Sequence, residues 1–430
     1  MNAIPRTRRP SGALAGSLGT ALLGQGSLVV SGTLAARMLG VEQRGYLALA
    51  VLLPSILGQV IHLGLPQAVT YYVARDPSCA PALLRRVRPL AIAQAAAAVL
   101  LQALLLPLFF RGAAIEVWAA ALVTLIAAPC ALAQQYALAL LQGERRFAAF
   151  NALRLLPASS YGAAVLLLFL AGTGTLVLVS AAWAAVQVTV GAVALAVALR
   201  GLGSDMTPAP PLRRLVRFGL DGFLGAASPV ETFGLDQAVI GLFLSPAALG
   251  IYVVGTSFTN LPRFVAQSIG MVAYPRVAAE VDRLAARRAM WRFTALTVVV
   301  TTVVIALLWA AAGVLVPLFF GEEFTEAVML TRVLLIGSVF LAARRTLSDC
   351  ARGLGLPRLG SIAEVASWLV VTPALALLVP PWGANGVAAA LVVAAAASLG
   401  TLVALVAAST GVAARRARSS SSHEEDLLVA

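Results

Sequence analysis

The chain contains no lysine; every one of its 31 basic residues is arginine. A Walker A lysine, a Schiff-base lysine and any lysine nucleophile are therefore excluded, and the chain carries no ATPase of its own. Cysteine is scarce: Cys79, Cys130 and Cys350 lie far apart, no C-x-x-C occurs, and His62 and His423 are the two histidines. That rules against a disulfide framework or a structural zinc site, and no metal or cofactor is expected. Charged residues make up 11% of the chain, against roughly 25% in an average soluble domain. The polar gaps are all shorter than about 20 residues, while a soluble domain needs about 50, so no soluble domain fits.

What is abundant is apolar surface. Hydrophobic residues make up 60% of the sequence, in runs of about 20 or more, each long enough to cross about 30 Å of hydrocarbon. The net charge of +13 does not point to nucleic acid. The arginines stand in short clusters between apolar runs, the pattern of topology signals, and no basic face with interleaved aromatics appears. Membrane lipids are the expected surroundings. Arg6, Arg8 and Arg9 precede an apolar run from 13 to 39, too long for the core of about 7–15 residues in a signal peptide. It is expected to be a retained first helix.

Twelve spans are predicted: 13–39, 46–73, 87–110, 115–142, 148–171, 175–199, 214–244, 250–275, 291–319, 326–352, 358–379 and 384–410. Alternate gaps (40–45, 111–114, 172–174, 245–249, 320–325 and 380–383) are tiny and hold only Arg44 and Arg111. The other gaps and both ends are arginine-rich, which places both termini in the cytoplasm by the positive-inside rule. The short outer gaps leave no room for extracytoplasmic chemistry, so an enzyme is not expected.

The chain also echoes itself. Pro107-Leu108-Phe109-Phe110 returns as Pro317-Leu318-Phe319-Phe320 at an offset of 210 residues, Leu39 through Tyr46 has a counterpart in Leu244 through Ile251 at 205, and Leu140 through Gly143 faces Cys350 through Gly353 at 210. Landmarks in one order at nearly one spacing mean a duplicated unit. Six spans per copy give both copies one orientation, so two parallel six-helix repeats are predicted. The division is residues 1–12 as cytoplasmic N-terminus, 13–200 as the first lobe, 201–213 as a proline-rich linker, 214–410 as the second lobe, and 411–430 as a disordered tail. The fold class is all-α polytopic membrane protein.

Ionisable residues within spans are costly and mark function by default. Arg263 lies about 20 Å into the eighth span at 1.5 Å per residue, at the depth of Glu231 on the preceding span. The pair is either a headgroup-binding arginine with its resting partner or a permanent structural bridge. Asp236 is a candidate to bind a coupling cation or to oppose the basic site, with a contact at the rim as the alternative. Arg344 and Arg345 lie within the tenth span; Arg345 has Asp349 as an i,i+4 partner, which leaves Arg344 as the freer charge, with snorkelling as the alternative for both. Arg37 and Arg332, near span ends, are expected to snorkel. Ser55, Gln59 and His62 at i, i+4, i+7 form a polar stripe that either lines a wet cavity or bonds a neighbouring helix. Gln134, Gln135 and Tyr136 extend the same choice. At the 205-residue offset Gly58 and Gly26 stand where Arg263 and Glu231 do, so the second half is expected to carry more of any anionic group.

Leu39-Gly40-Val41-Glu42-Gln43-Arg44-Gly45-Tyr46, Leu63-Gly64-Leu65-Pro66-Gln67-Ala68 and Tyr71-Tyr72-Val73-Ala74-Arg75, with Tyr274-Pro275-Arg276 and Arg352-Gly353-Leu354-Gly355-Leu356-Pro357, resemble the polysaccharide-biosynthesis flippases. These belong to the multidrug/oligosaccharidyl-lipid/polysaccharide exporter superfamily. The resemblance covers about residues 13–410. It implies two six-helix lobes around a central cavity and alternating-access transfer of an undecaprenyl-pyrophosphate-linked oligosaccharide across the bacterial inner membrane. Arg263, Arg344, Arg345, Glu231, Gln59 and His62 are then substrate-site candidates. Partners are the lipid-linked substrate and assembly proteins of the polysaccharide pathway, and a monomer is expected. Two departures stand: lipid II flippases of the superfamily usually have fourteen spans, and His62 occupies a position that is acidic or small in many relatives, which leaves ion coupling open. A cation-coupled multidrug exporter and a lipid II flippase remain the alternatives.

Overall fold

The computed structural model describes residues 11–200, 202, 207–224, 234–356 and 358–429. Helices account for nearly all of them, and no strand occurs among the described residues. The order is α1 (Ser11–Val60), α2 (Leu65–Arg75), α3 (Ala80–Phe109), α4 (Ile115–Val123), α5 (Ala127–Gly143), α6 (Phe147–Leu170), α7 (Leu176–Leu199), α8 (Leu212–Leu224), α9 (Leu235–Phe243), α10 (Pro246–Ser257), α11 (Asn260–Ala279), α12 (Arg283–Phe320), α13 (Ala327–Gly353) and α14 (Arg358–Val429). The chain is an all-α polytopic membrane protein.

Among the described residues, seven helices can cross a membrane by length and composition, or up to eight with the bent pair of α1 and α2 counted as one span. The difference from twelve has two sources: two pairs of predicted spans are merged across kinks, and two further spans are divided into shorter helices. α1 contains the first predicted span and the start of the second, separated at Gly40, where φ is 70°. Only a residue without a Cβ takes that backbone angle at little cost. α14 likewise holds the last two spans, separated at Gly383 with φ 54°. Its membrane-capable stretch of 52 residues would be about 78 Å long if straight, more than twice the hydrocarbon thickness. The seventh predicted span appears as α8 and α9, with 225–233 outside the described residues. The eighth is broken between Ser257 and Asn260 into α10 and α11. Beyond residue 410, where the sequence suggests a disordered tail, α14 continues as helix to Val429.

The helix faces are sorted for lipid. On α3, Gln94, Ala98, Gln102 and Leu106 are buried at four-residue spacing, while Leu100, Leu104 and Leu108 are exposed. On α12, Thr294, Thr297 and Thr301 face inward and Val299, Val303 and Leu307 face outward. Buried polar groups pair across helices, with the Tyr136 hydroxyl donating to Gln94 at 2.7 Å and the Gln102 amide donating to Thr124 at 3.1 Å. Backbone and side-chain polar groups in hydrocarbon must be satisfied internally, so this inversion of the soluble pattern is the expected one.

Two compact units are present. The first comprises Met1–Ser257 with Gly313–Val328, the second Phe258–Ala312 with Met329–Ala430. The chain passes between them at the α10–α11 break, within α12 and at the start of α13. The core of the first gathers Leu65, Val69, Leu83, Leu140, Leu141 and Leu215. That of the second gathers Ala273, Met290, Leu347, Cys350 and Leu402.

Within the first unit, the echoed turns pack on one another. A Cβ added to Gly45 would lie 1.7 Å from the Pro246 carbonyl oxygen, and one added to Gly250 would lie 2.1 Å from that of Val41. Gly45 and Gly250 correspond at the 205-residue offset, and so do Val41 and Pro246. The contact is therefore reciprocal, as two-fold related surfaces require.

Candidate functional site

The first unit encloses a cavity of about 350 Å³. It forms where both limbs of the kinked α1 meet α6, α7, α9 and α10. Its polar lining is Ser31, Arg44, Ser55, Tyr161, Trp183 and Gln237; Leu28, Gly32, Ala35, Leu47, Ala48, Val51, Leu52 and Val253 complete the wall. The local sequence explains the geometry. Gly40 reverses the chain and lets the helix restart at once, so Arg44 occupies a first turn rather than a loop. Gly45, beside it, seats that turn against Pro246.

Arg44 is the lining's one formally charged residue. Its Nε is buried without a hydrogen-bond partner, and no carboxylate lies within ion-pair distance of it among the described residues. Tyr161 is close enough to interact with it electrostatically. Ser31 donates to the Leu28 carbonyl at 3.1 Å and Ser55 to the Val51 carbonyl at 2.7 Å, so these two hydroxyls present lone pairs to the cavity. Donors come from Arg44, Tyr161, Trp183 and Gln237. Such a lining suits an anionic or hydroxyl-bearing guest and disfavours a cation.

Arg44 was not among the residues singled out from the sequence, because it falls in a gap read as an outer loop. The available signal was its exception: the arginine-poor gaps contain only Arg44 and Arg111 as basic residues, and Arg111 is exposed while Arg44 is half-buried.

The residues that were singled out are differently placed. Ser55 lines the cavity, but Gln59 is exposed, and His62 is not on the helix face at all. The predicted stripe fails because α1 ends at Val60 and the chain turns through positive φ at Leu63 and Gly64. The buried His62 accepts the Gly64 backbone N–H on Nδ1 at 2.9 Å, which stabilises the turn. Gln134 and Gln135 donate to the carbonyls of Leu153 and Gly58 at 3.0 and 3.3 Å, so they tie helices together rather than line the cavity. Asp236, in the first turn of α9, is buried; one carboxylate oxygen accepts the Tyr252 hydroxyl at 2.7 Å and the other has no partner.

In the second unit, Arg263 is exposed in the first turn of α11 rather than deep in a continuous helix, because the span breaks before Asn260. Glu231, its expected partner, lies outside the described residues. Arg344 is not the free charge expected: it is ion-paired with Glu364, both mostly buried. Arg345 is half-buried beside it, and Asp349 pairs with Arg352. Arg37 caps the end of α12 by donating to the carbonyls of Leu318 and Phe319. Arg332 stacks on Trp309 at 4.7 Å from the ring centre.

The fold is shared with solved transporters. A structure titled lipid II flippase MurJ, inward closed conformation, superposes with a TM-score of 0.72 at 12% identity, over 92% of this chain and 87% of that one. An inward-facing multidrug resistance MATE family transporter of the MOP superfamily superposes at 0.64 with 17% identity, over 89% and 95%. A MOP superfamily transporter from Pyrococcus furiosus, whose title reports reversed polarity of the binding pocket, superposes at 0.57 with 16% identity, over 92% and 94%. At these identities the likeness concerns the fold. No curated protein matches the chain. The family described as polysaccharide biosynthesis protein matches residues 34–329, more than half of the sequence, and the chain belongs to that family.

Proposed function

We propose that the protein is a flippase that moves an undecaprenyl-pyrophosphate-linked oligosaccharide from the inner to the outer leaflet of the bacterial cytoplasmic membrane. It acts by alternating access, with both termini cytoplasmic, and supplies a surface polysaccharide such as O-antigen, capsule or exopolysaccharide. The observation that carries this reading is family membership on a membrane-transporter fold. The polarity of the first unit's cavity supports it, since a pyrophosphate needs positive charge and a guanidinium is suited to it. With no ATPase lysine in the chain, turnover draws on an ion gradient, the membrane potential or substrate supply. Asp236 is the candidate for cation coupling, and the exposed Arg263 is a candidate for headgroup contact.

A lipid II flippase is the second reading, favoured by the neighbour of that name. Both substrates share the diphosphate-lipid chemistry; the family description favours polysaccharide. A cation-coupled drug exporter fits less well, since the described cavity has a basic and not an acidic charge.

The experiment is gene deletion with complementation. Deletion should abolish surface polysaccharide while the intracellular lipid-linked precursor accumulates. Arg263→Ala should fail to restore export although it inserts at normal abundance. Loss of peptidoglycan synthesis with polysaccharide intact would move the assignment to the second reading. Normal export in the deletion strain would refute both the polysaccharide assignment and its site.

A further inference from the structure

We propose that Arg37 and Glu323 form a clamp that closes the face of the protein bearing the arginine-poor gaps, and that the clamp releases when this face opens. It lies within the first unit, where the end of α12 meets the kink of α1. α12 ends at Phe320, and the last carbonyls of a helix have no partner within it. The Pro317 carbonyl accepts the Gly321 backbone N–H at 2.9 Å. The next two carbonyls are taken by one side chain: Arg37 donates through Nε to Phe319 at 2.8 Å and through Nη2 to Leu318. A cation is the favourable charge at a helix C-terminus. Glu323, in the turn after α12, makes the converse contact. Its carboxylate oxygens lie 3.4 and 3.8 Å from where a Cβ on Gly40 would stand. Gly40 is the kink of α1, so this carboxylate lies at the start of the second limb, where an anion is the favourable charge. Each helix end receives the charge it favours from the other segment.

The duplicated sequence shows that the crossing does not need these charges. Leu242 stands at the position of Arg37, at an offset of 205, and Ala113 at that of Glu323, at 210. The copy-related crossing of α9 on α3 is apolar: a Cβ added to Gly241 would lie 3.4 Å from the Phe109 ring. Folding is served by apolar contact there, so the charges on the α1–α12 side serve another purpose. Arg37 and Glu323 are both exposed. Exposed charge contacts are individually weak, which suits a contact that is made and broken repeatedly. α12 begins in the second unit and ends in the first, so the clamp fastens the end of a helix that joins them.

Opening of this face rests on the alternating-access reading, and its identification as the outer face rests on the proposed topology, in which gaps 40–45 and 320–325 lie outside. The test uses the full-length protein with Cys79, Cys130 and Cys350 replaced by alanine and a single reporter, Ser55→Cys, in the cavity wall. Spheroplasts and inside-out vesicles are each treated with a membrane-impermeant maleimide. The labelling rate reads how often the cavity is open to that side. Arg37→Gln and Glu323→Gln should each raise labelling in spheroplasts by about two- to fivefold, the size of a charge contact at an exposed helix terminus. The double variant should exceed either. Arg37→Lys keeps the charge but cannot span two carbonyls; it should fall between wild type and Arg37→Gln, and guards against a folding defect. Arg111→Gln, which removes an exposed arginine beyond the end of the copy-related α3, should change nothing.

A rise in spheroplasts confined to the Arg37 and Glu323 variants supports the clamp at the outer face. The same rise in inside-out vesicles instead supports the clamp and overturns the topology. Unchanged labelling from both sides overturns the proposal, as does an equal rise in Arg111→Gln. The flippase reading fails separately, through normal export in the deletion strain, whatever the labelling shows.

Discussion

The two copies of the echoed turn share their glycine and differ in the residue before it. In the first copy Arg44 precedes Gly45 and faces a cavity; in the second, Leu249 precedes Gly250 and is completely buried. The glycines are held in common because each lies against the carbonyl of the other's partner residue, where even a methyl group has no room. The preceding position is free of that constraint. One turn fills it with a buried apolar side chain; the other fills it with a charge that no carboxylate among the described residues neutralises. In the two echoed turns close backbone approach holds the glycines in common, and chemistry enters at the position that this contact leaves free to differ.

The strongest way to break this comparison is at the glycines. Gly45→Ala and Gly250→Ala should each force the α1–α10 crossing apart, at a cost above about 3 kcal/mol, beyond ordinary overpacking because the obstacle is backbone. If the contact is as reciprocal as its distances, the two variants should lose thermal stability by similar amounts in detergent. A large loss at one site with none at the other would show the reciprocity to be superficial.

Exchanging the diverged residues comes next. Leu249→Arg places an unpaired charge in an apolar core and should cost about 4 kcal/mol. Arg44→Leu removes one from a cavity and should be neutral or up to about 2 kcal/mol stabilising, while transport is lost. Stability by thermal melt and export by surface-polysaccharide assay should therefore move in opposite senses for Arg44→Leu and fall together for Leu249→Arg.

A similar contrast separates Arg44 from Arg344. The latter is neutralised by Glu364, with side chains 17% and 15% exposed. Arg344→Met should cost about 3 kcal/mol by stranding a buried carboxylate, and adding Glu364→Met should recover part of it. An Arg44→Met control, with no carboxylate to strand, should show no such cost. Equal losses at Arg44 and Arg344 would mean that Arg44 is a structural charge too.

The helical architecture was legible because apolar runs, arginine clusters and turn glycines are local signals. Gly40 and Gly383 divide α1 and α14 where the predicted first and last arginine-poor gaps begin and end. The site was less legible because it depends on how helices end. His62 reads as a member of a stripe only if the helix continues past Val60, and Arg263 reads as deep only if the helix is unbroken between Ser257 and Asn260. Arg44 was concealed for the opposite reason. A glycine kink so tight that no loop intervenes turns a residue from an apparent gap into the first turn of a buried helix. Pairing of Arg344 with Glu364 links residues on separate helices, 20 positions apart, and helical periodicity cannot anticipate it.

The smallest effect concerns a second echoed feature. Asp76 accepts the backbone N–H of Ser78 at 3.1 Å, and Asp282 accepts that of Leu284 at 2.9 Å. Asp76 also holds the linker between α7 and α8, accepting the Thr207 hydroxyl at 2.7 Å. The hydroxyls of Ser78 and Thr207 hold its carboxyl below the ordinary aspartate range. A depressed folded-state value means that the contact is at full strength above the unfolded-state pKa and is lost as pH falls through the folded-state value. Hydrogen exchange at Thr207 should thus be protected at neutral pH and lose protection only on acidification below the usual aspartate range, after the intrinsic pH dependence of exchange is divided out. Because Asp76 is solvent-exposed, the change should stay within about threefold. Asp76→Asn should abolish the pH dependence and Asp282→Asn should leave it intact. Loss of the dependence in both variants would mean that the linker is held by something other than the Asp76 carboxylate.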